Sequence, residues 1–136
     1  MDDMREVLSE ADFVLIAVPL TPRTKGLVDA AFLSAIRPNA WLVNVGRGGH
    51  VVEGDLLDAL RSGRIAGAVL DVVADEPLPA SSPFWDLPNV ILTPHLAGVA
   101  GPARFWSATA ELMAENLPRY AAREPLLNVI DPGRAY

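Results

Sequence analysis

No cysteine occurs among the 136 residues, which excludes disulfides and thiolate metal sites and fits a cytoplasmic protein. Lysine is nearly absent, Lys25 standing alone, and 11 basic against 17 acidic residues leave a net charge of −6. Without a Lys/Arg stripe the chain is a poor match for a phosphate backbone, so nucleic acid is not an expected partner. The two histidines, His50 and His95, lie far apart and give no metal-ligand spacing, and no metal is expected. The longest apolar run, Phe13 to Val18, falls far short of the roughly 18 residues of a membrane span, and no membrane is expected. The start, Met1-Asp2-Asp3-Met4-Arg5, is acidic without an apolar core, so no secretory leader is expected. No Gly-x-Ser-x-Gly elbow occurs and no carboxylate pair has a distinguishing context, which leaves triad hydrolysis and glycosidase chemistry without support.

What is present is a hydrophobic fraction of 51% with 21% charged residues, the balance of one globular domain with a real core. Residues 2–10 have helical composition. Phe13 to Val18 is a continuous apolar run, partly β-branched and stopped by Pro19, which predicts a strand buried on both faces. A turn-rich loop leads to Asp29, a good N-cap for a short helix over 31–36. Trp41 to Val45 is a second strand, opening into Gly46-Arg47-Gly48-Gly49. Glu53 to Ser62 reads as an amphipathic helix with Leu56, Leu57 and Leu60 inward and Gly63 as its stop. Strands over 67–72 and 90–93 flank a proline-rich loop. Pro102 opens a long helix to about Ala122, which Pro118 is expected to bend or break, and the tail reads as extended.

Strands alternating with helices at this spacing imply βαβ units, right-handed crossovers and a parallel sheet, an α/β fold. Ligands of such sheets bind at the carboxyl ends of the strands. That rule gathers Val18-Pro19, Gly46-Arg47, Asp71 and His95 on one rim. Arg47 there offers a planar fork suited to a carboxylate, and its flanking glycines allow close backbone approach to a ligand. The residues alone also allow an exposed arginine in a glycine turn, or a weak phosphate loop, Gly46-x-Gly48-x-x-Val51, without its third glycine. Asp71 either caps its turn or accepts from a ligand amide. Glu76 is by default solvated. His95 follows a strand end, where a loop histidine is either polar surface or a site residue, while His50 reads as incidental.

Four ordered stretches are more specific than any of these residues singly: ADFVLIAVPLTPRTKGLVD, LVNVGRGGHVVEGDLLDALRSGRIAGAVLDVV, DEPLPASSPFWDLPNVILTPHLAG and ENLPRYAAREPLLNVIDPGRAY. Together they resemble the NAD-binding region of D-isomer-specific 2-hydroxyacid dehydrogenases over nearly the whole chain. The resemblance implies a partial Rossmann-type, doubly wound parallel sheet of about four strands with flanking helices and a long C-terminal helix. It divides the chain into residues 1–122, the C-terminal portion of the NAD(P)-binding domain, and a tail, 123–136. It implies that Arg47 holds the carboxylate and carbonyl of a 2-oxo acid, that His95 is the acid/base, and that Glu76 pairs with His95. A carboxylate beside an imidazole favours its protonated form, and a cation and proton donor stabilise a developing alkoxide. Val18, Pro19, Thr24, Val45, Gly46, Arg47, Asp71, His95, Ala97 and Gly98 match positions that line NAD or NADP, Asp71 facing the carboxamide.

The same resemblance places the family's Gly-x-Gly-x-x-Gly upstream of Met1, and no such fingerprint occurs within the chain. The expectation is therefore an oxidoreductase fragment, inactive alone, acting on a small 2-oxo or 2-hydroxy acid as a homo-oligomer or with a complementing N-terminal part. A non-catalytic nucleotide-binding or interaction module of the same superfamily is the alternative. Leu96-Ala97-Gly98 after His95 fits the 2-hydroxyacid branch better than formate dehydrogenases. Arg123 stands where the family often has glycine.

Overall fold

The computed structural model describes residues 2–98 and 103–129. The elements in order are α1 (Asp2–Glu10), β1 (Phe13–Ile16), α2 (Ala30–Ala35), β2 (Trp41–Asn44), α3 (Glu53–Arg61), β3 (Gly67–Leu70), β4 (Val90–Leu92) and α4 (Ala103–Ala122). Single 3-10 turns occur at Gly48–His50 and Pro83–Asp86. The chain divides into two compact units, Met1–Leu96 and Ala97–Tyr136.

In the first unit the four strands form one parallel sheet in the order β1-β2-β3-β4. Because each strand is added beside the last, right-handed crossovers put every connection on the same side of the sheet. The burial follows from that. On the covered side the rows Val14–Leu42–Ala68–Val90 and Ile16–Asn44–Leu70–Leu92 meet Leu8, Phe32, Leu33, Ile36, Leu56, Leu60 and Phe84. Leu56 and Leu60 point inward as their spacing predicts, joined by Ala59, while Leu57 is only half-buried.

The other side differs from expectation. Phe13 is 71% and Leu15 60% exposed, so β1 is not buried on both faces. The physical reason is the one-sided wiring: no element of this unit crosses to that face. Trp41 gives partial cover where its ring lies over Gly67, so close that a Cβ there would meet ring carbons at 2.6 Å.

Local signals set the helix ends. Asp29 caps α2, its Oδ1 accepting the Phe32 N–H at 2.8 Å, and Asp55 Oδ2 takes the Ala30 N–H at 2.8 Å. Gly63, at φ +67°, ends α3 in the left-handed region that glycine enters without steric cost.

In the second unit α4 runs from Ala103 to Ala122 with Pro118 inside it, so of the expected bend or break the break does not occur. The missing N–H leaves the Ala114 carbonyl without its usual donor, but that residue is exposed and water is at hand. The helix ends in a paired closure, Glu124 N–H to Arg119 carbonyl at 2.9 Å and Arg123 N–H to Tyr120 carbonyl at 3.2 Å. Beyond it the chain folds back. Asn116 clasps Leu127, donating from Nδ2 to its carbonyl at 3.2 Å and accepting its N–H at 2.8 Å. Pro102 and the tail beyond Val129 lie outside the described residues.

Candidate active site

The carboxyl ends of β1, β2, β3 and β4 deliver Val18-Pro19, Gly46-Arg47, Asp71 and His95 to one edge of the first unit. The closest pair is His95 and Glu76, with Nδ1 2.7 Å from Oε2. Both side chains are partly open, 43% and 37% exposed. Glu76 does not drift in solvent as a loop carboxylate would by default, because its Oε1 also accepts the Val73 N–H at 3.2 Å. The carboxyl is held below its ordinary value, first by the hydrogen bond from His95 and then by that from Val73. Partial burial opposes this, and the positive charges of His95 and Arg47 add to it.

His95 sits at φ 54°, a left-handed conformation that costs an L-residue energy and persists only when neighbours impose it. Asp71 imposes it. Its carbonyl accepts the His95 N–H at 2.9 Å, and its Oδ1 accepts the Thr93 hydroxyl at 2.5 Å and the Leu96 N–H at 2.9 Å. This carboxylate is 5% exposed and grips the chain on both sides of His95. Beside the pair opens a pocket of about 470 Å³, walled by Leu70, Leu78, Trp85, Leu92 and Pro94 together with Asp71 and His95.

Arg47 is exposed, and its guanidinium folds back onto the Gly46 carbonyl at 2.8 Å. The glycines around it were expected to admit a ligand, but the structure fills their space with protein. A Cβ on Gly48 would penetrate the Val73 carbonyl, and one on Gly46 would meet His50 ring atoms at 3.0 Å and the Val18 carbonyl at 3.3 Å. The close approach is therefore internal: it packs the Arg47 turn against the segment carrying Glu76. The phosphate-loop reading fails for the same reason, since the turn faces chain rather than an open cradle.

The remaining expected positions separate. Val18 (44% exposed), Pro19 and half-buried Val45 form an apolar shelf on the rim, a surface suited to a flat ring. Thr24 is engaged within its own loop, donating to the Pro19 carbonyl at 2.7 Å and accepting the Thr21 N–H at 2.8 Å. Ala97 and Gly98 are exposed residues of the second unit. A dinucleotide's diphosphate finds no counterpart at the α2 and α3 N-termini. Asp29 and Asp55 already occupy N–H groups of α2, and Glu53 and Asp55 make the first turn of α3 acidic. Neither helix N-terminus is therefore open to a phosphate. No group of three or more metal-binding side chains occurs among the described residues, and none of their helices is long and apolar enough to cross a membrane.

Two polar residues to which the sequence reading gave no role are fully buried beneath Arg47. Asn44 accepts the Gly46 N–H and donates to the Arg47 carbonyl, both at 3.1 Å. His50, read as incidental, has zero exposure and lies with Nδ1 3.1 Å from the Arg47 nitrogen. The available signal was context: each is a lone polar residue in an apolar stretch next to a glycine turn.

Residues 1–97 match the NAD binding domain of D-isomer specific 2-hydroxyacid dehydrogenases. A glyoxylate/hydroxypyruvate reductase A of Escherichia fergusonii is 38% identical over 99% of the chain and 42% of its own length. A D-isomer specific 2-hydroxyacid dehydrogenase of Xanthobacter autotrophicus Py2, crystallised with NADPH and MES, superposes with a TM-score of 0.87 at 43% identity, covering all of this chain and 55% of that one. An NADPH-dependent glyoxylate/hydroxypyruvate reductase of Sinorhizobium meliloti, crystallised with NADP and sulfate, gives 0.82 at 36% identity over 99% of this chain and 43% of that one. The chain spans less than half the length of the curated reductase it matches. By sequence and by fold, the chain belongs to the D-isomer specific 2-hydroxyacid dehydrogenase family, with residues 1–97 matching the NAD binding domain of that family.

Proposed function

We propose that this chain supplies the acid/base and carboxylate-binding groups of an enzyme that reduces small 2-oxo acids, glyoxylate and hydroxypyruvate among them, to 2-hydroxy acids. The observation that carries the reading is the 2.7 Å His95–Glu76 contact on the rim that also bears Arg47. Arg47 binds the acid's carboxylate through its planar fork. His95 holds a proton toward the C2 carbonyl oxygen and gives it up as that oxygen becomes an alkoxide, leaving the 2-hydroxy acid. Glu76, anchored by Val73, orients the imidazole and balances its charge. Asp71 keeps the His95 segment in its left-handed conformation.

Val18, Pro19, Val45, Gly46 and Asp71 would hold NADP(H) or NAD(H), whose nicotinamide would supply or accept the hydride. The phosphorylated cofactor is favoured because NADPH accompanies one of the relatives above and NADP the other. Thr24, Ala97 and Gly98 join this set on family resemblance alone. With no phosphate cradle on α2 or α3, the isolated chain binds the dinucleotide weakly and turns over at background rate. Activity needs a complementing N-terminal part or an assembly of copies.

A chimera tests this directly. The chain replaces the matching segment of the Escherichia fergusonii reductase, and NADPH oxidation is followed with glyoxylate. Turnover is expected, with His95→Ala lowering kcat by about 10²–10⁴ and Arg47→Ala impairing both KM and kcat. Unchanged turnover in His95→Ala at neutral pH would remove the acid/base role.

A further inference from the structure

A histidine with no exposed surface needs a reason, because burying an imidazole costs free energy unless its nitrogens find partners. His50 is such a residue and takes no part in the chemistry proposed for Arg47 and His95. Its main chain is fixed from outside the turn. The His50 carbonyl accepts the Val28 N–H and the Gly49 carbonyl accepts the Gly26 N–H, both at 2.9 Å, and Val51 bridges Val28 in parallel. From that frame the ring reaches back into the space that Gly46 leaves by having no side chain.

Both polar main-chain atoms of Arg47 lie against one ring nitrogen. His50 Nδ1 is 3.1 Å from the Arg47 nitrogen and 2.9 Å from the Arg47 carbonyl oxygen, which also receives Asn44 Nδ2 at 3.1 Å and the His50 N–H at 3.2 Å. In either tautomer Nδ1 bonds to the main chain of Arg47, accepting its N–H or donating to its carbonyl. Nε2 is buried and has no partner. One orphaned ring nitrogen is tolerated so that the other can hold the main chain of a single residue, Arg47.

We infer that His50 is a positioning residue for Arg47: its buried ring, through Nδ1, fixes the Gly46–Arg47 backbone so that the guanidinium is presented to the acid's carboxylate. The functional half of this statement rests on the carboxylate-binding reading of Arg47. The positioning half rests on the turn alone.

The two halves separate in one NMR experiment on the full chain, labelled with ¹⁵N, with glyoxylate as the probe. Long-range ¹H–¹⁵N spectra should show one fixed tautomer for His50, as a ring held through Nδ1 requires. In His50→Leu the Arg47 amide should exchange roughly five- to tenfold faster, the change expected from losing one neutral hydrogen bond. His50→Asn, whose Oδ1 stands where Nδ1 stands, should restore protection. Where the leucine variant does not fold, His50→Gln decides instead, since it keeps an amide but moves the oxygen away from that position. Glyoxylate should shift the Arg47 side-chain signals in the wild type and in His50→Asn, and several-fold less in His50→Leu or His50→Gln. Arg47 exchange equal in all variants overturns the positioning role. His50-dependent protection with no wild-type glyoxylate response leaves positioning intact and overturns the carboxylate reading.

Discussion

Gly48 and Val73 approach so closely that a single added carbon on Gly48 would overlap the Val73 carbonyl. These two residues form the seam between the loop of Arg47 and the loop of Glu76. Because Val73 also donates its N–H to Glu76 Oε1, a displacement at the seam is passed to the carboxylate that holds His95. Two further bonds pin the same strip, with Glu53 Oε1 accepting the Ala74 N–H at 2.9 Å and Thr93 bound to Asp71.

Gly48→Ala should therefore act on both stability and site. Backbone cannot rotate out of the way as a flexible side chain could, so the loops must part. A loss of about 1–3 kcal/mol is expected, the range for overpacking a tight contact, measured by thermal or urea unfolding. The Glu76 carboxyl should move back toward its ordinary pKa as it separates from His95. An alanine variant with wild-type stability and an unshifted Glu76 would show that the seam is not closed in solution.

The pH dependence of the pair has a definite sign. Glu76 is held below its unfolded value, so the contribution of its ionised form is fully present above the ordinary carboxylate range. It is lost as the pH falls through the lowered folded value. Carbon-13 NMR of the Glu76 carboxyl should give a midpoint below that of a free glutamate. His95→Ala removes the first and largest cause and should raise the midpoint, leaving the smaller effects of Val73 and Arg47. A midpoint at the ordinary value in the wild type would mean that the 2.7 Å contact does not persist.

The strands were legible because uninterrupted β-branched and apolar runs between turn residues carry a strong local signal. Each of the four begins at its expected residue and ends one or two residues early. The rim was legible too, since parallel topology alone brings Arg47, Asp71 and His95 to one edge. The pairing of Glu76 with His95 came only from family resemblance, because no local pattern brings residues so far apart together. His50 and Asn44 were illegible as supports for the opposite reason. Their partners are main-chain atoms two or three residues away, and a backbone partner leaves no mark in side-chain chemistry. The exposed face of β1 was misread because a run such as Phe13 to Ile16 states that both faces are apolar, not that both are covered.

Arg123 offers a stability test remote from the site. It ends α4 at φ 58°, where an L-side chain crowds its own carbonyl and glycine does not. Its side chain is exposed, and the closure runs through the main-chain N–H groups of Arg123 and Glu124. Arg123→Gly should retain both bonds and relieve strain of about 1 kcal/mol, seen as slower amide exchange in the last turn of α4. Faster exchange would mean that the arginine side chain, and not the backbone geometry, secures that end.

The open face of the sheet leads to a prediction about assembly. Register aligns Leu15, Val43, Val69 and Ile91 in one row across all four strands, with Phe13 and Trp41 beside it. Leu15 and Ile91 are 60% and 52% exposed. The row carries no charge, and β1 stands at the edge of the sheet without charged residues along its length. Both features favour association, the first by burying apolar area and the second by offering main-chain groups to another strand. The chain should therefore self-associate at micromolar concentration, giving a sedimentation coefficient that rises with concentration. Replacing Leu15 and Ile91 by lysine changes neither the helix-side core nor the rim and should shift the population toward monomer. A wild-type chain that sediments as a single 14.5 kDa species across that range, while unfolding cooperatively, would mean that this face needs no cover.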